Sequence, residues 1–175
     1  KAHPKDVTYA SSGPLFQLAS ELFKQKTGTE FLAIPYKSSG ESTAALVGGQ
    51  ITMSIADVPP VAGLIKTGKL RALAYTNESR NAQFPDVPTV AQAGIPGTEV
   101  ATLVGIVAPA GTPAPIVRKL QDALVRMVQK PETRERFAAI GIEPVGSTSE
   151  EFVRAIETDL TRWAEVARRA NIQPE

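Results

Sequence analysis

The chain has 175 residues, 42% of them hydrophobic and 21% charged, which is enough for one domain with a core or one domain plus an appendage. It contains no cysteine, so structural disulfides, thiolate metal sites and cysteine nucleophiles are excluded. Nineteen basic against eighteen acidic side chains, a net charge of +1, exclude the electrostatic footprint of a nucleic-acid binder. No apolar run approaches the ~18 residues that a membrane span requires. The opening Lys1-Ala2-His3-Pro4-Lys5 is not followed by an apolar stretch and cleavage site, so it does not read as a signal peptide.

The first half alternates short β-like runs with helical patterns. Val7 to Ala10 predicts a strand, and Ser11-Ser12-Gly13-Pro14 a turn into a helix. That helix is marked by Leu15, Leu18, Ala19, Leu22 and Phe23 at helical spacing and is closed by Gly28. Phe31 to Pro35 predicts a second strand, Ser38-Ser39-Gly40 a turn, and Glu41 to Val47 a short helix. Ile51 to Ala56 predicts a third strand, Asp57 to Pro60 a loop, Val61 to Lys66 a helix, and Leu70 to Tyr75 a fourth strand. Strands recurring at intervals of about 20–25 residues, with helices between them, make the βαβ pattern of a parallel sheet covered on both faces.

Asn77 to Pro88 reads as a polar loop, and Thr89 to Ala93 as one helical turn. Thr102 to Ala108 predicts a fifth strand. Beyond it, Thr112 is the expected cap of a helix that has Pro113 at its first position and runs to about Gln129. Pro131 to Ile140 predicts a shorter helix, and Ile142 to Val145 a short strand or loop. Thr148 and Glu151 form a capping-box pattern for a last helix reaching Ala170, with Phe152, Ile156, Leu160 and Trp163 as its apolar stripe. These long helices need apolar partners that the first half does not obviously supply. Arg162, Arg168 and Arg169 alternate with Glu157, Asp159 and Glu165, which reads as a solvated helix face.

In an open parallel sheet, ligands bind beyond the carboxyl ends of the strands. Three loops converge there on this pattern: Ser11-Ser12-Gly13, Ser38-Ser39-Gly40 with Glu41 and Ser42, and Asp57. Two of them open helices, whose unpaired N–H groups and partial positive charge suit an anion without any Arg or Lys. The same serines also serve as ordinary N-caps. Asp57 either accepts a bond from a ligand or pins a loop N–H, Tyr36 either stacks on a ligand or fills a gap between sheet and helix, and Lys37 either meets a carboxylate or faces water.

Catalytic patterns are missing. The single histidine, His3, precedes the first strand and stands away from the proposed loops. One His and no Cys cannot give metal-site spacing, and neither a phosphate-binding Gly-rich loop nor a nucleophile elbow is present. No cofactor is expected, and the chain reads as a non-enzyme.

Seven segments in order carry a resemblance. They are Thr8-Tyr9-Ala10-Ser11-Ser12-Gly13, Gln17 to Phe23, Ile34 to Gly40, and Leu46-Val47-Gly48-Gly49-Gln50-Ile51. Gly68 to Ala74, Phe84 to Val90 followed by Gly94, and Ala108 to Pro113 complete the set. Over essentially the whole length the chain resembles the carboxyl-terminal part of the tripartite tricarboxylate transporter substrate-binding proteins, the Bug or TctC-like family. The resemblance implies an α/β fold: a Rossmann-like parallel-sheet lobe of a type II periplasmic binding protein with a helical C-terminal tail. It implies that residues 1–100 are lobe two of a clamp, and that 101–175 return to a first lobe most of which this sequence lacks. It implies a periplasmic protein that captures a small carboxylate for membrane transporter subunits. Ser11, Ser12, Gly13, Tyr36, Ser38, Ser39, Gly40 and Asp57 are the ligand-binding residues it suggests. Family members have Gly-Ser or Gly-Thr where Pro14-Leu15-Phe16 here leads straight to Gln17, which favours an alternative, a dimeric scaffold module that has lost ligand binding. Apolar helices without partners lead to the expectation of a homo-oligomer.

Overall fold

A computed structural model describes residues 7–173. His3 lies outside the described residues. Two strands, β1 (Thr8–Ser11) and β2 (Leu32–Pro35), pair in parallel with Thr8 opposite Leu32 and Ser11 opposite Pro35. A parallel pair requires a crossover, and α1 (Pro14–Thr27) supplies it. Pro14 occupies its first position, where a missing N–H costs nothing, and Gly28 ends it in the left-handed conformation, its N–H donating to Lys24 O. After β2 come α2 (Ser39–Val47) and α3 (Val58–Lys66).

On the other side of β1, Met53 bridges Tyr9 in parallel; Ala10 N–H donates to Met53 O and Met53 N–H to Thr8 O. The spatial order is therefore β2, β1, then the segment at Met53, with β1 in the middle. Central placement explains why Tyr9 and Ala10 are fully buried.

The expected strands at 51–56, 70–75 and 102–108 do not form ladders. The first is reduced to the bridge at Met53 and the second to a bridge between Tyr75 and Thr89. Residues 102–108 are exposed throughout. Apolar content favours a strand, but a ladder exists only where a neighbour supplies the other half of each hydrogen bond. Residues 142–145 are a loop. Thr89 to Ala93 does make its turn, with Ala93 N–H on Thr89 O.

The chain divides into two compact units: residues 1–101 with 163–175, and residues 102–162. In the first unit, α1 packs Ala19 and Leu22 against Val100 and Val166, with Leu15, Leu18, Ile55 and Trp163 around them. A second cluster joins Ala10, Ala45 and Ile51 with Ile34, Tyr36 and Leu46. Val166 and Trp163 belong to the far end of α6 (Ser149–Arg169), and Gln25 fastens that end by donating to Val166 O at 3.2 Å.

The second unit holds α4 (Ala114–Gln129), α5 (Pro131–Ala139) and the start of α6. The capping box of α6 is present in both directions: Thr148 N–H donates to Glu151 at 2.8 Å, and Glu151 N–H to Thr148 Oγ1 at 3.1 Å. Those bonds hold the Glu151 carboxyl below its usual range. Thr112, in contrast, is not the cap of α4. Its N–H and hydroxyl both turn back onto Pro109 O, Pro113 takes the cap position in an extended conformation, and the helix starts at Ala114. No residue of this unit is buried. Val104, Ile106, Val107, Ile116, Leu120, Val153 and Leu160 are all large apolar residues open to solvent.

Tyr9 gives the first unit a pH limit. Its phenol is buried and lies 3.4 Å from Glu21 Oε1, its hydroxyl donating, and burial together with that carboxylate pushes its pKa up to about 12. A pKa raised on folding contributes stability that is complete below the ordinary phenol value of 10.0 and is lost as pH rises toward 12. Urea unfolding at increasing alkaline pH should therefore show a steep loss of stability in this window. Tyr9→Phe should make that loss shallower, and an equal slope in both proteins would contradict the assignment.

Candidate ligand-binding site

Parallel pairing brings the carboxyl ends of β1 and β2 to one edge. Ser11 stands opposite Pro35, and the next residue, Tyr36, donates its N–H to Ser11 O at 2.9 Å. The loops 11–13 and 36–38 are thus adjacent. The segment at Met53 runs the same way along β1 and leads to Asp57, so α1, α2 and α3 all begin beyond the same edge.

The three helix starts differ. At α1, Gly13 is the cap residue; no side chain caps the helix and no acidic residue lies in its first turn. Its carbonyl accepts Gln17 N–H at 3.1 Å. Pro14 has no N–H, so the unused donors are those of Leu15 and Phe16. Gly13 has φ 152° and ψ 161°, a region open essentially to glycine alone. Ser11 and Ser12 are partly buried, and their hydroxyls have no hydrogen-bond partner among the described residues.

At α2, Ser38 is the cap residue and its hydroxyl accepts Glu41 N–H at 3.2 Å. Glu41 Oε2 reaches back to the N–H of Lys37 at 3.1 Å. Ser39 and Gly40, expected in a turn, are the first two residues of the helix. The Ser39 carbonyl accepts the hydroxyls of Ser42 and Thr43, while its own hydroxyl faces no protein partner among the described residues. Ser39 and Gly40 keep free first-turn N–H groups.

At α3, Asp57 is the cap residue, exposed, and its side chain makes no capping bond. Pro59 and Pro60 remove two of the first-turn donors, leaving α3 the poorest anion site of the three. The helix starts at Val58, three residues before the expected position, because proline is well tolerated in a first turn.

Tyr36 packs against the cluster of Ala10, Ala45 and Ile51, so its ring fills the gap between sheet and helix. Lys37 is exposed. Sequence reasoning did not single out the role of Glu41, although Ser38 followed three residues later by Glu41 is a capping-box spacing.

A pair of substitutions tests this local geometry. Gly13→Ala meets no obstructing atom, so its cost comes from the backbone alone, about 1–3 kcal/mol of folding stability. Gly40→Ala sits in a helix with only Ser38 Oγ nearby, at 3.8 Å, and should be neutral or stabilising by up to about 1 kcal/mol. Urea midpoints of the two variants should move in opposite directions, or Gly13 alone should move down.

The chain matches the family described as the tripartite tricarboxylate transporter family receptor over residues 1–172. It is 41% identical over 161 residues to a protein of Cupriavidus necator, "UPF0065 protein in gbd 5'region", covering 90% of this chain and 49% of that one. Among solved structures it resembles "R. palustris Rpa4515 with adipate", with a TM-score of 0.89 and 33% identity, over 99% of this chain and 59% of that one. It also resembles "MatC (Rpa3494) from Rhodopseudomonas palustris with bound malate", with a TM-score of 0.79 and 26% identity, over 94% of this chain and 58% of that one. The chain therefore spans about half to three fifths of the length of these relatives. The α/β architecture with a parallel sheet is that of periplasmic binding proteins, and the chain belongs to the tripartite tricarboxylate transporter receptor family, the Bug or TctC-like solute-binding proteins.

Proposed function

We propose that this chain serves an extracytoplasmic solute-binding protein that captures a small carboxylate and delivers it to the membrane subunits of a tripartite tricarboxylate-type transporter. The observation that carries this reading is the start of α1. It is uncapped by any side chain, free of acidic residues in its first turn, and set at the edge where β1 and β2 end. A helix start of this kind holds an anion through N–H donors and its dipole. The likeness to a protein whose structure is described as with adipate supports a carboxylate as that anion.

In this reading Ser11, Ser12 and Gly13 hold the carboxylate, and Ser38, Ser39 and Gly40 present the facing donors. Tyr36 and Asp57 shape the rim: Tyr36 through its packing, Asp57 as the start of α3. In this reading the protein acts by binding, as its membership of a solute-binding family supports. Residues 1–100 form one lobe of a clamp; within 101–175 the far end of α6 packs on that lobe, and the remainder contributes to another. The open apolar faces of α4 and α6 are covered in solution, in the isolated chain by a second copy. The family supports the extracytoplasmic location.

Native mass spectrometry of the purified chain tests both parts at once. A dimer carrying a carboxylate, with Ser39→Ala and Ser12→Ala each weakening binding about 5–10-fold through loss of one hydrogen bond, supports the reading. A dimer that stays empty and shows no thermal shift with any carboxylate favours a scaffold module instead. The directness of Pro14 after Gly13 is the feature that would then explain the loss.

A further inference from the structure

We infer that residues 102–108 pair as a β-strand with the same segment of a second copy of this chain, antiparallel and centred on Gly105. The inference rests on the reading that a second copy covers the open apolar faces of the isolated chain.

No helix, turn or bend interrupts residues 101–109. Among the described residues, the main chain of Leu103 to Ala108 makes no hydrogen bond. These consecutive residues carry the donors and acceptors of a ladder with no neighbour to complete it. None of them has a polar side chain, and Val104, Ile106 and Val107 are 86%, 72% and 81% exposed. An unpaired, uncharged segment of this composition is a template for another strand. A helix could cover its side chains but not complete its ladder, because a helix has already spent its own main-chain groups.

The Phe152 ring of α6 lies against Gly105, where any side chain would collide with it. Side chains alternate along an extended run, so Val104 and Ile106 point away from Phe152, in keeping with their exposure. The helix thus covers one face of the segment at its middle, and a partner approaches along an edge.

The order of the residues makes the segment itself the fitting partner. About Gly105, Val104 is matched by Ile106 and Leu103 by Val107. Antiparallel pairing about that centre sets each aliphatic side chain opposite an aliphatic one, a contact that sheets favour, and it is self-complementary, as a two-fold interface must be. These four residues with Ile116, Leu120, Val153 and Leu160 leave open the equivalent of about five whole side chains, or about 300–600 Å² of apolar surface. A stable dimer buries about 800 Å² per partner, about two thirds of it apolar. The open apolar surface of the second unit is therefore of the size that such an interface consumes.

The chain has no cysteine, so introduced thiols report on the pairing without background. Opposed residues of an antiparallel pair have Cα atoms about 4.5–5.5 Å apart, within reach of a disulfide, whereas position 104 of one copy lies about 8 Å from position 104 of the other, beyond it. Val104→Cys and Ile106→Cys chains, mixed in urea, refolded together and oxidised with diamide, should therefore cross-link in up to about half of the dimers, the mixed fraction of a symmetric pair. Each variant alone should give few covalent dimers. Sedimentation should show a dimer for the unsubstituted chain and a monomer for Ile106→Lys, whose circular dichroism should be unchanged because Ile106 is open in the single chain. Dimers whose mixture fails to cross-link, that cross-link through Val104→Cys alone, or that survive Ile106→Lys overturn the inference and spare the reading of a second copy. A chain that stays monomeric at every concentration overturns both.

Discussion

The parallel pairing of β1 with β2 is the constraint on which the rest of the first unit depends. Parallel strands cannot be joined by a tight turn, so the chain must cross over, and α1 is the crossover. Because both strands run the same way, both end at the same edge, and the helices that follow them start there. The Tyr36 N–H on Ser11 O ties the two loops together at that edge. Antiparallel pairing of the same residues would send the second loop to the opposite end, and no pair of helix starts would face one ligand. The bridge at Met53 adds a third segment in the same sense and leaves β1 enclosed on both sides.

Much of this was legible from residue patterns, and the reasons are local. Gly28 closes α1 because a left-handed residue is needed after its last turn, and glycine is the residue that adopts it freely. The capping box of Thr148 and Glu151 forms because both partners lie within one turn and need nothing else. The failures concern a missing neighbour or a competing partner, neither of which residue identity and periodicity reveal. Val104, Ile106 and Val107 have the composition of a buried strand, yet they are exposed, because a strand is a property of its neighbours as much as of itself. Thr112 has the identity of a cap, but the turn closed on Pro109 claims its hydroxyl first. At the site, the serines and Gly13 were visible as a pattern, whereas the return of Glu41 onto Lys37 requires the actual path of the chain.

The second unit shows the same distinction at larger scale. Its α4 and α6 have clear apolar stripes, and α6 has a complete capping box, so there local preference and periodicity agree. Helices of this length still owe most of their stability to burying the apolar face, and here no residue is buried. Eight basic and eight acidic side chains between residues 102 and 162 leave it neutral, so charge does not keep another apolar surface away. Composition, periodicity and exposure together describe an apolar surface left open to solvent.

On the proposed reading, recognition of an anion without a cation makes the position of α1 decisive. A dipole and two or three N–H groups act only within about one turn, so the helix must be held where its start meets the ligand. The fastening is the packing of Ala19 and Leu22 against Val100 and Val166, with Trp163 beside them. Two of those residues come from the far end of the chain, some 140 positions from the helix they brace, as the bond from Gln25 to Val166 shows. The core that stabilises the first unit is therefore also what preorganises its candidate site. A weaker core would loosen α1 before it unfolded the sheet, and ligand affinity would fall first because ordering the helix start would then be charged against binding.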